Sequence, residues 1–261
     1  MKYNCAFLVL SCDNYSDLWT PFFHFFSQKW TDCKLDKFIV TNFKDSENKS
    51  FKSILVGEDV SWSDNLIKAL AYLEKKYQYV FVTVEDVPIL NKINNKKFNT
   101  LFESFTEENG DYMSLRGFPA HQQSINKLFG RIPDDGIYRA NCVYSLWKIK
   151  TLQKMLKPGE NAWEFEFNVK ERSVGLNFFS TKKKYFRFIH LVNKGRYINY
   201  GIFLSKLQGY DFEYKYREKQ DLFSELHFNL RVFFHKKILY SCLLPPYFRK
   251  KLIKVYNTYI R

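Results

Sequence analysis

The sequence has no apolar run of the roughly 18 residues that a membrane-spanning helix needs. The apolar stretch Cys5–Leu10 is too short for the core of a signal peptide, and no small-residue cleavage site follows it. The five cysteines include no CxxC pair, and their number is odd. We therefore expect no cleaved leader, no zinc site and no disulfide framework, but reduced thiols in a cytosolic protein.

Two nucleotide-binding signatures are also missing. Neither GxGxxG nor GxxxxGK[ST] occurs at the end of any predicted strand, which argues against a dehydrogenase and against a P-loop ATPase. The chain has 261 residues with 46% apolar content, which suits one large globular domain or one domain with an appendage.

Positive charge is concentrated near the C-terminus. The chain carries a formal charge of +14, and residues 181–261 account for +13 of it, with 18 Lys and Arg against 5 Asp and Glu. A basic segment rich in aromatic residues is typical of a surface that meets anionic lipid or nucleic acid. A solvated basic face without a partner is the alternative.

The first ninety residues alternate between strand and helix patterns. We predict strands at residues 4–10, 37–41, 51–56 and 79–84, with helices at 17–28 and from Asp64 onward. Further on, we predict helices at 95–105 and 151–156, strands at 111–115 and 187–192, and an irregular loop at 116–136. Basic helices are expected within 222–243 and 247–260, separated by Pro245 and Pro246. This order predicts an α/β fold with a mostly parallel sheet flanked by helices.

The predicted strand at 79–84 ends in two adjacent acids, Glu85 and Asp86, before Pro88 stops the ladder. Open α/β sheets bind ligands at the carboxyl ends of their strands. Two carboxylates there can hold a divalent metal through oxygen ligands. The alternative is that they only solvate the strand end or cap a turn.

Other candidate side chains also follow predicted strands: Asp13, Asp64, Glu164, Glu166, His190 and Lys194. Each has a structural alternative. Asp13 suits a turn, Asp64 an N-cap and His190 a structural histidine, whereas Glu164 and Glu166 could be the exposed edge of an element that buries Trp163 and Phe165. Taken together they supply an acidic metal site, a cationic clamp for a diphosphate and a separate base. A transferase that uses a nucleotide-diphospho-sugar needs those three parts.

The sequence resembles bacterial glycosyltransferases of the GT-A type that act in capsule and lipopolysaccharide assembly. The residues that carry this resemblance lie between about 3 and 200: Ser11-Cys12-Asp13-x-Tyr15, Ser61-Trp62-Ser63-Asp64, Val84-Glu85-Asp86, Tyr144-Ser145-Leu146-Trp147 and Trp163-Glu164-Phe165-Glu166. The resemblance implies a GT-A-like catalytic domain at residues 1–200 and a basic, aromatic, helical appendage at 201–261. It further implies a nucleotide-sugar donor and a glycan acceptor, which can be lipid-linked.

Roles for individual residues follow from the resemblance. It implies that Ser11, Asp13, Tyr15 and Asp64 bind the donor, with Lys194 on its diphosphate. Glu85, Asp86 and His190 would hold Mn²⁺ or Mg²⁺, and Glu164 or Glu166 would be the catalytic base. The chain departs from the family at the metal motif, because Val84 and Val87 flank the acids where an Asp-x-Asp is expected. A cationic clamp could replace the metal.

Two other functions remain open from the sequence. A nucleic-acid-binding protein would use the basic, aromatic C-terminal third, but long apolar stretches interrupt its cations and no nucleic-acid motif occurs. A two-carboxylate hydrolase would need more acids and histidines than this site offers. We therefore expect a cytoplasmic glycosyltransferase, peripheral on the inner face of the membrane, with no nucleic-acid partner.

Overall fold

The computed structural model describes residues 4–136, 138–213 and 216–234. The chain divides into two compact units, Met1–His190 and Leu191–Arg261. The predicted domain division at residue 200 stays a prediction.

The N-terminal unit contains nine strands and five α-helices among its described residues. The strands are β1 (Cys5–Leu10), β2 (Asp36–Thr41), β3 (Lys52–Leu55), β4 (Tyr79–Val84), β5 (Tyr112–Ser114), β6 (Gln123–Ser124), β7 (Phe129–Arg131), β8 (Ser145–Lys148) and β9 (Phe178–Thr181). The helices are α1 (Trp19–Lys29), α2 (Trp62–Leu73), α3 (Asn95–Glu107), α4 (Ile149–Met155) and α5 (Ala162–Arg172). A 3₁₀ helix, Asp13–Leu18, precedes α1.

These strands form one mixed sheet in the order β3-β2-β1-β4-β8-β5-β9-β7-β6. Strands β3, β2, β1 and β4 pair in parallel, as do β5 and β9. Strands β7 and β8 run antiparallel to their neighbours. Among the described strands of this sheet, β7 and β8 are therefore the two that oppose the common direction. The predicted α/β class, with a mostly parallel sheet and flanking helices, is confirmed.

The sheet is covered on both faces, which explains why its central strands are apolar throughout. In β1, Phe7 and Val9 face a core that includes residues of α1 and α3, whereas Ala6 and Leu8 face a core built with α2, α4 and α5. Successive side chains of a strand point to opposite faces, so a strand covered on both sides must be apolar at every position.

Most of the early predictions match the structure. Strand β4 has the predicted bounds, and the helix predicted from residue 17 begins at Trp19 after the 3₁₀ turn. The strand predicted at 187–192 is wrong. That segment pairs with the loop after β4 through Leu90 N–H and Arg187 O at 2.8 Å and through a bridge between Ile89 and Phe188. Pro88 has no N–H to donate, so this pairing cannot extend into a ladder.

The loop predicted at 116–136 contains the hairpin of β6 and β7. Gly130 lets the two strands approach, because a Cβ there would lie 2.5 Å from the Gln123 carbonyl oxygen. Strands of two or three residues have no measurable periodicity, and they were missed for that reason. Strand β9 was missed as well.

The C-terminal unit contains a hairpin of β10 (Val192–Asn193) and β11 (Arg196–Tyr197), followed by α6 (Asn199–Leu207) and α7 (Leu222–Phe234). Buried Glu225 accepts from the backbone N–H groups of Asn199 and Tyr200 at 3.0 and 2.8 Å, which caps the start of α6. The helix predicted at 247–260 and the break at Pro245 and Pro246 lie outside the described residues. Of the helices described here, none has the length and apolar character to cross a bilayer.

Candidate active site

Several candidate side chains follow strands that end at one edge of the large sheet. Cys12 follows β1, the Glu85-Asp86 pair follows β4, and Arg116 follows β5. These strands share one direction, so their carboxyl ends lie at the same edge. Strand β8 runs the other way, so Asn141, which precedes it, also lies there. In open α/β sheets this edge is the usual ligand site, and we treat it as the candidate active site.

The two acids after β4 sit in different surroundings. Glu85 is 6% exposed, whereas Asp86 is partly exposed. Burial, together with the nearby charges of Glu85 and Asp59, raises the pKa of the Cys12 thiol to about 11, so this thiol stays protonated at neutral pH. Asp86 acts instead on Tyr144, whose pKa is raised mainly by burial and additionally by that carboxylate.

Tyr144 fixes the segment that leads into β8 against the loop that carries the acids. Its hydroxyl donates to the Val87 carbonyl oxygen at 2.5 Å, and its ring stacks on Phe186 with centroids 5.0 Å apart. Its φ of 47° lies in the left-handed region, which a bulky residue adopts only where its surroundings hold it. The strained backbone at Tyr144 therefore occurs at the residue that holds the loop after Asp86 through Val87.

Glu164 and Glu166 have different roles in the structure. Glu164 accepts from the backbone N–H of Asn161 at 2.8 Å, and the Asn161 side chain accepts from Glu164 N–H at 3.0 Å, a complete capping box that starts α5. The Glu164 carboxylate is therefore committed to the helix terminus. The structural alternative was that the glutamates form the exposed edge of an element that buries Trp163 and Phe165. Phe165 is buried, but Trp163 is 62% exposed, so this alternative holds only in part.

Glu166 lies partly buried on the same helix and has no such capping role. Burial raises the pKa of its carboxyl group to about 7, and the positive charge of Arg116 lowers the pKa from what burial alone would give. The same carboxylate adds to the effect of burial in raising the pKa of Cys142. A carboxyl group that titrates near neutral pH can exchange a proton with a substrate hydroxyl. Of the two glutamates, Glu166 is the one that the helix terminus does not use and whose pKa is raised, and a catalytic base at either residue stays a prediction.

Arg116 is the residue of this site that the sequence interpretation missed. Its Nη1 donates to Asn141 Oδ1 at 3.2 Å, and its guanidinium lies 5.3 Å from the ring centroid of Phe188 and 5.9 Å from that of Phe118. These contacts hold a cation beside Glu166 in partly buried surroundings. A signal was present, because Arg116 directly follows the strand predicted at 111–115, at the ligand-binding edge.

A second cationic feature was also missed. Lys182, Lys183 and Lys184 follow β9, which ends at the same edge as β5. Lys182 Nζ donates to Ser124 Oγ at 2.6 Å, while Lys183 and Lys184 are exposed. Three consecutive lysines after Phe-Phe-Ser-Thr would have marked them, but β9 itself was not predicted.

Hydrogen bonds anchor the start of α5 to the start of α2. Ser63 N–H donates to the Glu160 carbonyl oxygen at 3.1 Å, and Glu160 N–H donates back to Ser63 Oγ at 3.0 Å. The Glu160 side chain forms an ion pair with Arg172 near the other end of α5, with Nη1 and Oε2 2.7 Å apart. The pair lowers the pKa of Glu160. These contacts fix where α5 presents Glu166.

The structural alternative for Asp64, an N-cap of α2, does not hold, because the N-cap is Ser61. Ser61 Oγ accepts from Asp64 N–H at 3.1 Å and its hydroxyl donates to Asp64 Oδ2 at 2.5 Å. The same Oδ2 accepts from Gly159 N–H at 2.9 Å, so Asp64 joins the two helix starts. These hydrogen bonds lower the pKa of its carboxyl group. Its predicted contact with a donor stays a prediction.

The loop after β1 is tied to the loop after β2. Asp13 accepts from the backbone N–H groups of Asn42 and Phe43 at 2.9 and 3.0 Å. Ser11 Oγ accepts from Trp19 Nε1 at 2.7 Å, and Tyr15 N–H donates to the Cys12 carbonyl oxygen. The side chain of Asp13 therefore organises the loop. Donor binding by Ser11, Asp13 and Tyr15 stays a prediction.

The predicted metal site is not assembled as a cluster. Within residues 4–136, 138–213 and 216–234, no three His, Cys, Asp or Glu side chains come together in a way that could hold a metal ion. His190 packs edge-on against Phe188 with centroids 5.3 Å apart. Lys194 is exposed in the turn of the β10–β11 hairpin, at a left-handed φ of 49°. A metal at Glu85, Asp86 and His190 stays a prediction, as does Lys194 on a diphosphate.

Comparison with known proteins leaves the family open. No family model and no curated protein matches the chain. Among solved structures, S. aureus TarS has 10% identity and a TM-score of 0.45, with 98% of this chain and 43% of that one covered. A197 from STIV has 15% identity and a TM-score of 0.41 over 72% of this chain and 86% of that one. A Desulfovibrio desulfuricans G20 protein, provisionally named as a nucleotide-diphospho-sugar transferase, has 11% identity and a TM-score of 0.39, over 66% and 74%.

Substituting Glu166 should change how stability depends on pH. With the carboxyl pKa raised from 4.5 to about 7, the folded state is favoured fully below pH 4.5, and this advantage is lost as the pH rises to about 7. We expect Glu166→Gln to remove that loss and to gain on the order of 1–3 kcal/mol relative to wild type between pH 5 and pH 8. Urea unfolding of both proteins at pH 5 and at pH 8 measures this difference in the free energy of unfolding.

Glu164→Gln is the matched control, because it changes an exposed carboxylate two residues earlier on the same helix. Its stability difference from wild type should show little of this pH dependence. If Glu166→Gln and wild type lose stability in parallel over this range, the raised pKa is contradicted.

Proposed function

We propose that this chain is a glycosyltransferase that moves a sugar from a nucleotide-diphosphate donor to a hydroxyl group of a glycan acceptor. The observation that carries the proposal is the arrangement of Glu166. Glu166 is a partly buried carboxyl group with a pKa of about 7, on which the charge of Arg116 acts, in the unit whose strand ends also carry Glu85 and Asp86. A base of this kind suits deprotonation of a sugar hydroxyl.

In the proposed reaction, Glu166 takes the proton of the acceptor hydroxyl as its oxygen attacks the anomeric carbon of the donor. The new carbon–oxygen bond forms while the bond to the diphosphate breaks, and the leaving nucleotide keeps the bonding electrons. Arg116 keeps part of the Glu166 population ionised and adds positive charge to the site. A low-dielectric site makes these charges more effective than they would be in water.

The roles taken from the resemblance belong to this proposal. Ser11, Asp13, Tyr15, Asp64 and Lys194 would contact the donor, whereas Glu85, Asp86 and His190 would hold Mn²⁺ or Mg²⁺. If bound, such an ion would neutralise charge on the diphosphate. Because the described residues do not gather three ligands, the steps above are derived without it.

We further propose that the acceptor is a lipid-linked precursor of capsule or lipopolysaccharide, met at the anionic inner face of the membrane. The net charge of +13 in residues 181–261 supports this, since each Lys or Arg near an anionic surface contributes about 1 kcal/mol. Sedimentation with anionic vesicles tests it. We expect binding that falls as salt is added, and equal binding to neutral vesicles would contradict it.

Nucleotide binding is the direct test of the transferase proposal. We expect one of UDP, GDP, CMP or dTDP to raise the melting temperature of the full chain. A ligand at a hundred times its Kd adds about 2.7 kcal/mol of stability. Each nucleotide is measured with and without manganese, so any dependence on the ion tests the predicted roles of Glu85 and Asp86. If no nucleotide shifts the melting of the folded protein, the transferase proposal fails.

A further inference from the structure

Helix α5 carries two exposed aromatic side chains that the proposed reaction does not use. Trp163 is 62% exposed and Phe167 is 50% exposed. They lie four residues apart, so they are neighbours on the helix surface and form one apolar strip. Phe165 and Val169 are the buried residues of α5 and face the core, so Trp163 and Phe167 lie on a different face of the helix.

The strip borders the proposed base. Glu166 lies three residues after Trp163, a spacing at which Cβ atoms on a helix are about 5–6 Å apart. Side chains on a helix lean toward its N-terminus, which brings the Glu166 carboxylate toward the turn that carries Trp163. A molecule lying on Trp163 therefore has one end within reach of Glu166.

The charges around the strip narrow the choice of ligand. Glu164 and Glu171 are both exposed on α5, on the side of the strip away from Glu166, and partly exposed Lys170 lies on the other side. Two carboxylates there oppose an anionic lipid surface or a nucleic acid. They are compatible with a neutral ligand that offers apolar faces to aromatic rings and hydroxyl groups to carboxylates. A sugar ring has both.

We propose that Trp163 and Phe167 form the acceptor platform of this enzyme. One neutral sugar ring of the acceptor stacks on the two side chains, and this contact places its nucleophilic hydroxyl at Glu166. The platform rests on the proposed function, since it gives the transferase its acceptor subsite. It assigns acceptor recognition to the face of a rigid helix whose start is fixed by a capping box.

The test uses the full chain with sugar nucleotides and a panel of unmodified neutral oligosaccharides, with product detected by mass spectrometry. The same oligosaccharides are printed as an array to measure binding without a donor. Trp163→Ala should raise the acceptor KM roughly tenfold or more, as loss of an aromatic anchor does, with much smaller changes in kcat and in the donor KM. Trp163→Phe should retain most of the affinity, and Trp163→Ala with Phe167→Ala should lose more.

Tyr72→Ala is the matched control, because Tyr72 is an aromatic residue of similar exposure (53%) on a different helix. It lies at the C-terminal end of α2, whereas the N-terminal end of α2 contacts α5. It should leave the acceptor KM unchanged. An unchanged acceptor KM in the Trp163, Phe167 double variant overturns the platform, and so does a wild-type chain that neither binds nor glycosylates any oligosaccharide. Loss of anionic-vesicle binding, or of self-association, as the main effect of Trp163→Ala also overturns it. Nucleotide-dependent melting distinguishes these results from failure of the transferase proposal itself.

Discussion

The common direction of β1, β4 and β5 is the constraint on which the candidate site depends. It brings the ends of strands that are distant in sequence to one edge, so that Cys12, Glu85 and Arg116 lie there without any local motif. Two hydrophobic cores, one on each face, hold this alignment. Strand β8 lies between β4 and β5 in the opposite direction, and this brings Asn141 to the same edge.

Helix α5 depends on a second set of constraints that are polar. Its first turn is fixed by Asn161 and Glu164, and the segment before it is bound to α2 through Ser63 and Asp64. The hydrogen bond from Glu160 N–H to Ser63 Oγ is buried, so breaking it would be costly because it would leave a buried polar group without a partner. Helix α5 is therefore held in place while it carries Glu166, whose pKa burial raises to about 7.

The sequence predicts the sheet well where long strands are buried. Strand β4 was predicted with its bounds because six apolar or β-branched residues in a row suit a strand covered on both faces. Strands β6, β7 and β9 were not, because they are short and are defined by partners distant in the chain. Arg116 was missed for a related reason, since its neighbours Asn141 and Phe188 come from the segment before β8 and from the segment after β9.

The ambiguity between Glu164 and Glu166 shows what sequence spacing cannot resolve. Both lie in the same Trp-Glu-Phe-Glu run, and either could be a base. Only the position of the first helical residue decides which of them reaches back to the Asn161 backbone, and that position shifts by a residue or two without changing the pattern. Spacing also could not decide the N-cap of α2, because Ser61, three residues before Asp64, has equal capping ability.

The pH dependence of donor consumption by wild type, Glu166→Gln and Glu164→Gln tests whether Glu166 is the general base. The account predicts that the wild-type rate falls as the pH drops below about 7, where Glu166 becomes protonated. We expect Glu166→Gln to lose roughly a hundredfold or more above pH 7, the usual contribution of a general base, while Glu164→Gln follows wild type. The deficit of Glu166→Gln should shrink as the pH falls, because the wild-type carboxylate is then protonated as well. A Glu166→Gln enzyme with the wild-type rate and pH profile would contradict the account.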